Sequence, residues 1–472
     1  VGRANEVRLL RVISSTPVVW QRADLTGRLW SGAAPDWRVV PRPGAPDVIV
    51  YVIDTLRPDV LGAYGGPGPT PVLDRLASQG VLFERAYSTS SWTRPAVASL
   101  VSGLPVSAHG VSSEAFSLPE GALTLAERFR LRGYQTLGVI ANGHIVPAFH
   151  FDQGFEIYDA PPFVDDVGTW DAGSLANNAP ASDVHALALR HLALVRDRRR
   201  PLFLYIHVVD PHQPYHPPEW VLAERRPAVR ANNFLLRSIN EGEGASPRLL
   251  GDLALAYRGA VAYADRELGR FLAKLSPYTD LDRAVLLVTS DHGEAFFEHR
   301  QVGHRSWLYE ELTRVPMLLR APGVPAGRRE ILPVSLLDVV PTLLGQADPR
   351  PGKTGPEPGV DLLAADAAPR LARRGAFSEF GVGATLVGGE WKLAYHGDYP
   401  EAERFQLFNL RLDPAESDDR LAGEPAAAAR MQATLRETLA GARRLALPPL
   451  AVDAGRLSLG LQRNLHALGY VR

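Results

Sequence analysis

The chain has 472 residues, 46% hydrophobic and 22% charged, with 51 Lys plus Arg against 52 Asp plus Glu and a formal net charge of −1. So even a balance offers no footprint for nucleic acid or an anionic membrane, and an anionic substrate must be drawn in locally by a metal or a few cations. Cysteine is absent, which excludes disulfides, thiolate nucleophiles and Cys-ligated zinc.

The length exceeds one simple core and predicts a large domain plus a smaller one. Residues 1–46 are mixed and end in Pro41-Arg42-Pro43-Gly44-Ala45-Pro46, read as an N-terminal extension. Val48–Ile53 is a continuous apolar run, the pattern of a buried parallel strand. Residues 136–141, 202–209, 284–289 and 316–319 repeat it. Helical patterns fall between, over 72–78, 123–132, 184–196 and 250–275. This alternation predicts a doubly wound α/β sheet over 47–350.

The texture then changes. Residues 348–359 are rich in Pro and Gly and read as a linker or long loop. Residues 376–395 and 405–410 predict short strands, and 424–443 an amphipathic helix. Together these predict a smaller C-terminal α+β subdomain and tail over 351–472. No apolar run approaches the roughly 20 residues of a membrane span. The first residue is Val1 rather than Met. The expected location is periplasmic or secreted if a leader was removed, and otherwise cytoplasmic. The sequence has no signal for oligomeric state.

Functional groups of an open α/β sheet collect at strand carboxyl ends. One apolar run ends in Asp54-Thr55-Leu56-Arg57 and another in Ser290-Asp291-His292-Gly293-Glu294. Two carboxylates and an imidazole there suit a divalent metal, although a lone Asp at such a place also serves as a helix cap. In Ser90-Ser91-Trp92-Thr93-Arg94-Pro95, Thr93 reads as a helix N-cap, with Gly103 as the stop. A hydroxyl at that positive end equally suits an anionic substrate.

These segments, in this order, resemble the sulfatase family of the alkaline phosphatase superfamily. Residues 52–65, opening Val52-Ile53-Asp54-Thr55, resemble its first metal motif. Thr93-Arg94-Pro95-Ala96-Val97 stands where sulfatases carry Cys-x-Pro-x-Arg. Thr289-Ser290-Asp291-His292-Gly293-Glu294 and Gly303-His304 resemble the second metal motif and the cation beyond it. Leu407-Phe408-Asn409-Leu410 with Asp413-Pro414 and Glu416 resembles the C-terminal subdomain, and Leu468-Gly469-Tyr470 the family's ending. The resemblance implies an alkaline-phosphatase-like fold acting on a small anionic ester.

The departures matter as much. Sulfatases convert that Cys, or sometimes Ser, to formylglycine. Thr93 cannot become an aldehyde, because its β-carbon carries a methyl group, and Val97 replaces the Arg of the modification motif. A plain Thr nucleophile remains, as in phosphoethanolamine transferases of the superfamily. The resemblance then implies a single divalent ion on Asp54, Thr93, Asp291 and His292, with zinc or manganese preferred to calcium. Thr55 at the usual second Asp suggests a lighter metal site. A second metal on Asp210, His212 and His304 is the lesser alternative.

Either His212 or His304 is the candidate acid for the leaving group. Asn142 and His144 stand where the family has Lys-x-His, and are candidate substrate contacts. Arg57 is a further one, although an ion pair with Asp59 is its preferred reading. His299 reads as a supporting or surface residue. The favoured function is a phosphodiester or phosphonate monoester hydrolase. The alternatives are a sulfuric ester hydrolase without formylglycine, a phosphoethanolamine-type transferase and an inactive binding homologue.

Overall fold

A computed structural model describes residues 21–23, 29–31, 41–161, 179–213, 215, 246–305, 307–347 and 358–453. The chain divides into two units, 1–40 and 41–472. In the first, Gln21–Ala23 pairs antiparallel with Leu29–Ser31. Most of the expected extension and linker, the ending at 468–470, residues 162–178 and most of 212–248 lie outside the described residues.

The second unit is built on a nine-stranded sheet. Its strands in chain order are β1 (Val48–Ile53), β2 (Val81–Tyr87), β3 (Gln135–Ile140), β4 (Ile157–Asp159), β5 (Leu202–Val208), β6 (Val285–Thr289), β7 (Arg314–Arg320), β8 (Arg328–Glu330) and β9 (Val334–Ser335). The spatial order is β8-β2-β7-β6-β1-β5-β3-β4, with β9 also on β2. β1 lies at the centre, parallel to β5 and β6.

Every residue of β1 is buried, and alternate residues serve opposite faces. Val48, Val50 and Val52 join one apolar cluster, and Ile49, Tyr51 and Ile53 the other. Each such side chain contributes about 1.5–3 kcal/mol of burial. Both faces are covered, which is why the strand reads as an unbroken apolar run. Helices α1 (Pro71–Gln79), α2 (Thr93–Ser102), α3 (Leu125–Arg130), α4 (Ala181–Val195), α5 (Pro247–Leu275) and α6 (Val339–Ala347) supply that cover. α3 begins in a capping box, Thr124 with Glu127, which explains its sharp start.

Two features correct the sequence expectation. The sheet is mixed, because β7 runs antiparallel to both β2 and β6. β2 was not expected at all, since Glu84 and Arg85 interrupt its apolar pattern.

The C-terminal strands β10 (Ala376–Phe380), β11 (Gly383–Gly388), β12 (Trp391–His396) and β13 (Phe405–Asn409) form an antiparallel meander. Helix α7 (Pro425–Arg444) buries Met431 and Leu435 on it against Leu386 and Leu393. This smaller sheet meets the segment before Thr93, where the Glu379 N–H donates to Thr89 O at 2.8 Å and the Ser90 hydroxyl to Glu379 O at 2.8 Å. No described helix is long and apolar enough to cross a membrane.

Candidate active site

Strand register brings the chemistry together. Val52 of β1 lies opposite His207 of β5 on one side and Thr289 of β6 on the other. Asp54 directly follows β1 and Asp291 closely follows β6, so both carboxylates reach the His207 imidazole at one sheet edge. One ligand atom each from Asp54, His207 and Asp291 lies within 4.8 Å of the others, the single group of metal-ligand spacing among the described residues. His292 closes the cluster, its Nε2 3.5 Å from Asp54 Oδ1 and 3.5 Å from Asp291 Oδ2. All four side chains are fully buried.

Sequence reasoning missed His207. The signal was a His inside an otherwise apolar strand that pairs with the strand ending at Asp54. Its ring is oriented through Nδ1, 3.0 Å from the Tyr205 hydroxyl, and its Nε2 lies 3.6 Å from Asp54 Oδ2.

The backbone at Asp54 is held tightly. Thr55 has φ 57, costly for a β-branched residue. The Tyr257 hydroxyl donates to Thr55 O at 2.7 Å, and the Leu56 N–H to Ser290 Oγ at 2.9 Å. The Thr55 hydroxyl donates back to Asp54 O at 2.7 Å.

Thr93 does not cap its helix. α2 starts at Thr93 and Trp92 is the residue before it. The hydroxyl has tertiary partners instead: it lies 3.2 Å from His292 Nε2 and accepts from Asn142 Nδ2 at 3.2 Å. The same Nδ2 donates to Asp54 Oδ2 at 2.6 Å, while Asn142 Oδ1 accepts from the His144 N–H at 2.8 Å. The Asn142 amide is thus fixed between the hydroxyl and a carboxylate.

His304 and His212 form an imidazole cluster with His292. Ring centroids are 4.6 Å apart for His292 and His304 and 4.9 Å apart for His212 and His304. His304 Nδ1 lies 3.2 Å from Glu294 Oε1, and His212 Nδ1 engages Gln213 O. Burial pushes the Glu294 carboxyl up to about 7. Burial, then the His292 and His212 charges, pull His304 well below the usual imidazole range.

His144 lies against two cations that sequence reasoning also missed. Its Nε2 is 2.6 Å from Arg305 Nη2 and its Nδ1 is 3.4 Å from Arg94 Nη2. Arg94 is fully buried, donates to the carbonyls of His144 at 3.2 Å and Glu114 at 2.7 Å, and sits 3.7 Å over the Phe149 ring. Burial draws its guanidinium down to about 9. Arg305 pairs with Glu114 and lies 4.8 Å over Trp92. Their only sequence signal was adjacency to Thr93 and His304, and an Arg beside such a residue is ordinarily solvated.

Other candidates fall elsewhere. Arg57 donates to Asp59 at 2.7 Å, Glu298 at 2.5 Å and the Glu294 carbonyl at 2.8 Å, the ion-pair arrangement rather than a free substrate contact. His299 lies 2.8 Å from Glu311 and stacks on Tyr309. Asp210 accepts from the Ala181 N–H at 3.1 Å and is not in the group of metal-ligand spacing, so Asp210, His212 and His304 are not assembled as a second metal cluster.

The donors at the sheet edge fit a divalent cation. Among the described residues, Asp54 Oδ1, Asp291 Oδ2 and His207 Nε2 are buried without hydrogen-bond partners, each costing about 1–3 kcal/mol unless something pairs with it. Burial and the Asp54 charge push the Asp291 carboxyl well above the usual range. Burial would do the same to Asp54, but the imidazoles of His207, His212 and His292 hold it well below. Two buried carboxylates this close are both ionised only with positive charge between them.

Gly293 shows how closely this edge is packed, since a Cβ there would sit 2.0 Å from Glu311 O. Gly293→Ala is expected to lower unfolding stability by roughly 2–3 kcal/mol. Chemical denaturation at fixed metal concentration measures the difference.

A family model described as Sulfatase matches residues 46–349. The chain belongs to the sulfatase family. An arylsulfatase of Clostridium perfringens (strain 13 / Type A) is 26% identical over 360 residues, 63% of this chain and 74% of that one. A choline-sulfatase of Rhizobium meliloti (strain 1021) is 27% identical over 430 residues, 79% of this chain and 82% of its own. Among solved structures, the phosphonate monoester hydrolase of Agrobacterium radiobacter matches with TM-score 0.63 and 22% identity, over 85% of this chain and 96% of that one. A protein solved in complex with its substrate D-glucosamine-2-N,6-O-disulfate matches with TM-score 0.68 and 18% identity, over 85% and 98%. At these identities the solved structures establish the fold, an alkaline-phosphatase-like α/β architecture with a small C-terminal sheet. Membership makes this sulfatase-family chain an ester hydrolase.

Proposed function

We propose that this sulfatase-family hydrolase cleaves phosphodiesters or phosphonate monoesters, with Thr93 as its nucleophile. The observation that carries the reading is the Thr93 hydroxyl, 3.2 Å from both His292 Nε2 and Asn142 Nδ2 and turned away from its helix. Asp54, Asp291, His292 and Thr93 would hold one divalent ion, with His207 as a further ligand. Imidazole donors favour zinc or manganese over calcium, which prefers an all-oxygen shell. Such an ion supplies Lewis-acid polarisation and a lowered hydroxyl pKa.

The residues then divide the work. Asn142 orients the Thr93 oxygen, which gives up its proton to solvent and attacks phosphorus as the ester oxygen departs. His304 passes that oxygen its Nε2 proton as Nδ1 draws one from the Glu294 carboxyl, or His212 gives the proton through Nε2. The product is a Thr93 phosphoester or phosphonoester. Water attacks its phosphorus and returns its proton to the same imidazole, and the Thr93 oxygen leaves and takes a proton back from solvent. A Thr ester cannot collapse to an aldehyde, so this external attack is obligatory. Phosphorus is well served by it, whereas a less charged sulfur gains less from fixed positive charge.

Substrate charge disfavours a doubly charged phosphate monoester, whereas a sulfate monoester is as singly charged as a diester. Arg94 and Arg305 both engage the one residue Glu114, Arg94 through its carbonyl and Arg305 through its carboxylate. The wall beside His144 therefore carries about one net positive charge, suited to a singly charged group.

A sulfuric ester hydrolase using Thr93 directly is the second reading, favoured by the relatives named arylsulfatase and choline-sulfatase. Relative kcat/KM for an aryl phosphodiester, phosphate monoester and sulfate monoester on one preparation decides between them, with and without chelator. The diester is expected to be fastest, and chelation to stop all three. A sulfate ester faster than the diester by about tenfold, or about 1.4 kcal/mol in barrier, would reverse the assignment.

A further inference from the structure

A cavity of about 370 Å³ lies between the segment that carries His304 and the C-terminal sheet. Gln301 and Trp307 line it from that segment, and Phe380, Tyr395 and His396 from the sheet. Its size suits a small organic group. Trp307 is locked in place by edge contacts, 4.9 Å from His396 and 5.6 Å from Tyr399 between ring centroids.

The cavity's charge is informative. Among the described residues no Lys or Arg lines it. The carboxylate of Glu416 at its wall is paired with Lys392 Nζ at 2.8 Å, and Asp398 is exposed at the rim. An anionic group is repelled here, and an uncharged apolar one loses nothing on desolvation. Trp307 follows His304 by three residues, at most about 11 Å of extended chain. Phe380, also on its wall, adjoins Glu379, whose carbonyl accepts from the Ser90 hydroxyl three residues before Thr93, so both segments that flank the cavity lead into the site.

We propose that this cavity binds an uncharged aryl or alkyl substituent of the ester and sets the enzyme's substrate selectivity. The inference rests on the Thr93 hydrolase reading above. Its test compares kcat/KM for p-nitrophenyl phosphodiesters whose second substituent is methyl, benzyl or 4-carboxybenzyl. Three proteins are needed: wild type, Trp307→Ala and Val382→Trp. Val382 lines the cavity yet is 65% exposed, so a larger side chain there obstructs the mouth without burdening the core.

In wild type the benzyl ester is expected to exceed the methyl ester by about tenfold or more, chiefly through KM. The carboxylate should cancel the gain. Both variants should bring the benzyl-to-methyl ratio down to roughly two or three. A wild-type ratio near one, or a ratio unchanged in both variants, overturns the proposal while leaving the hydrolase reading intact. If wild type turns over no diester but does turn over sulfates, the phosphorus reading fails instead. Aryl against methyl sulfate, with the same variants, then decides the cavity by the same criteria.

Discussion

Thr93→Ala is expected to lower kcat/KM by roughly four orders of magnitude, about 5.4 kcal/mol of barrier. The variant loses the attacking oxygen and the covalent step that depends on it. It keeps the fold, because a buried methyl replaces a side chain whose polar partners His292 and Asn142 retain other contacts. The stability change should stay within about 1 kcal/mol. Thr93→Ser should recover part of the activity, since the hydroxyl returns without the methyl that limits its rotamers. Mass spectrometry on acid-quenched wild type should find the Thr93-bound intermediate, and the Ala variant should lack it. Near-normal turnover by Thr93→Ala would move the nucleophile elsewhere. Ser91, whose buried hydroxyl has no hydrogen-bond partner among the described residues, would then be the first candidate; Ser90 already donates to Glu379 O.

Asp54→Ala should be nearly as damaging, for a different reason. Its carboxylate accepts from Asn142 and lies within 3.6 Å of both His207 and His292. Removing it takes away a central metal ligand and releases the amide that orients Thr93. Activity is expected to fall by about 10³-fold or more, with metal content dropping from about one ion per chain to near zero. Thermal unfolding separates the two effects. Metal at a hundred times its Kd stabilises wild type by about 2.7 kcal/mol, so chelation should lower the wild-type Tm while leaving the variant's unmoved. Elemental analysis that found only calcium would overturn the zinc or manganese assignment. A variant retaining its full metal complement would remove Asp54 from the ligand set.

The legible parts of the fold were those that bury both faces. β1 and β6 are continuous apolar runs, because alternate side chains enter opposite cores. β2 escaped notice because Glu84 and Arg85 stand in its middle, half-buried where the sheet nears its edge. β7 was recognised as a strand but its direction was not, since a buried antiparallel strand flanked by β2 and β6 carries the same apolar pattern as a parallel one.

In the site, Asp54, Asp291 and His292 could be read from strand ends, since proximity along the chain already placed them at a carboxyl edge. Thr93 was readable as a position but not as a role. Its local sequence predicts a cap, and only packing against His292 and Asn142 turns the hydroxyl inward.

By itself, then, the sequence determined the α/β class, the order of the motifs and the exclusion of formylglycine chemistry, because a threonine β-carbon cannot yield an aldehyde. Only the tertiary structure decided which imidazole stands beside the carboxylates. His207 and His212 are close in sequence, yet strand register puts His207 level with Val52, while the loop after β5 carries His212 towards His304. It likewise decided that Arg94 and Arg305 meet at His144. Register and long-range packing couple residues far apart in the chain, and no local pattern of residue types encodes those distances.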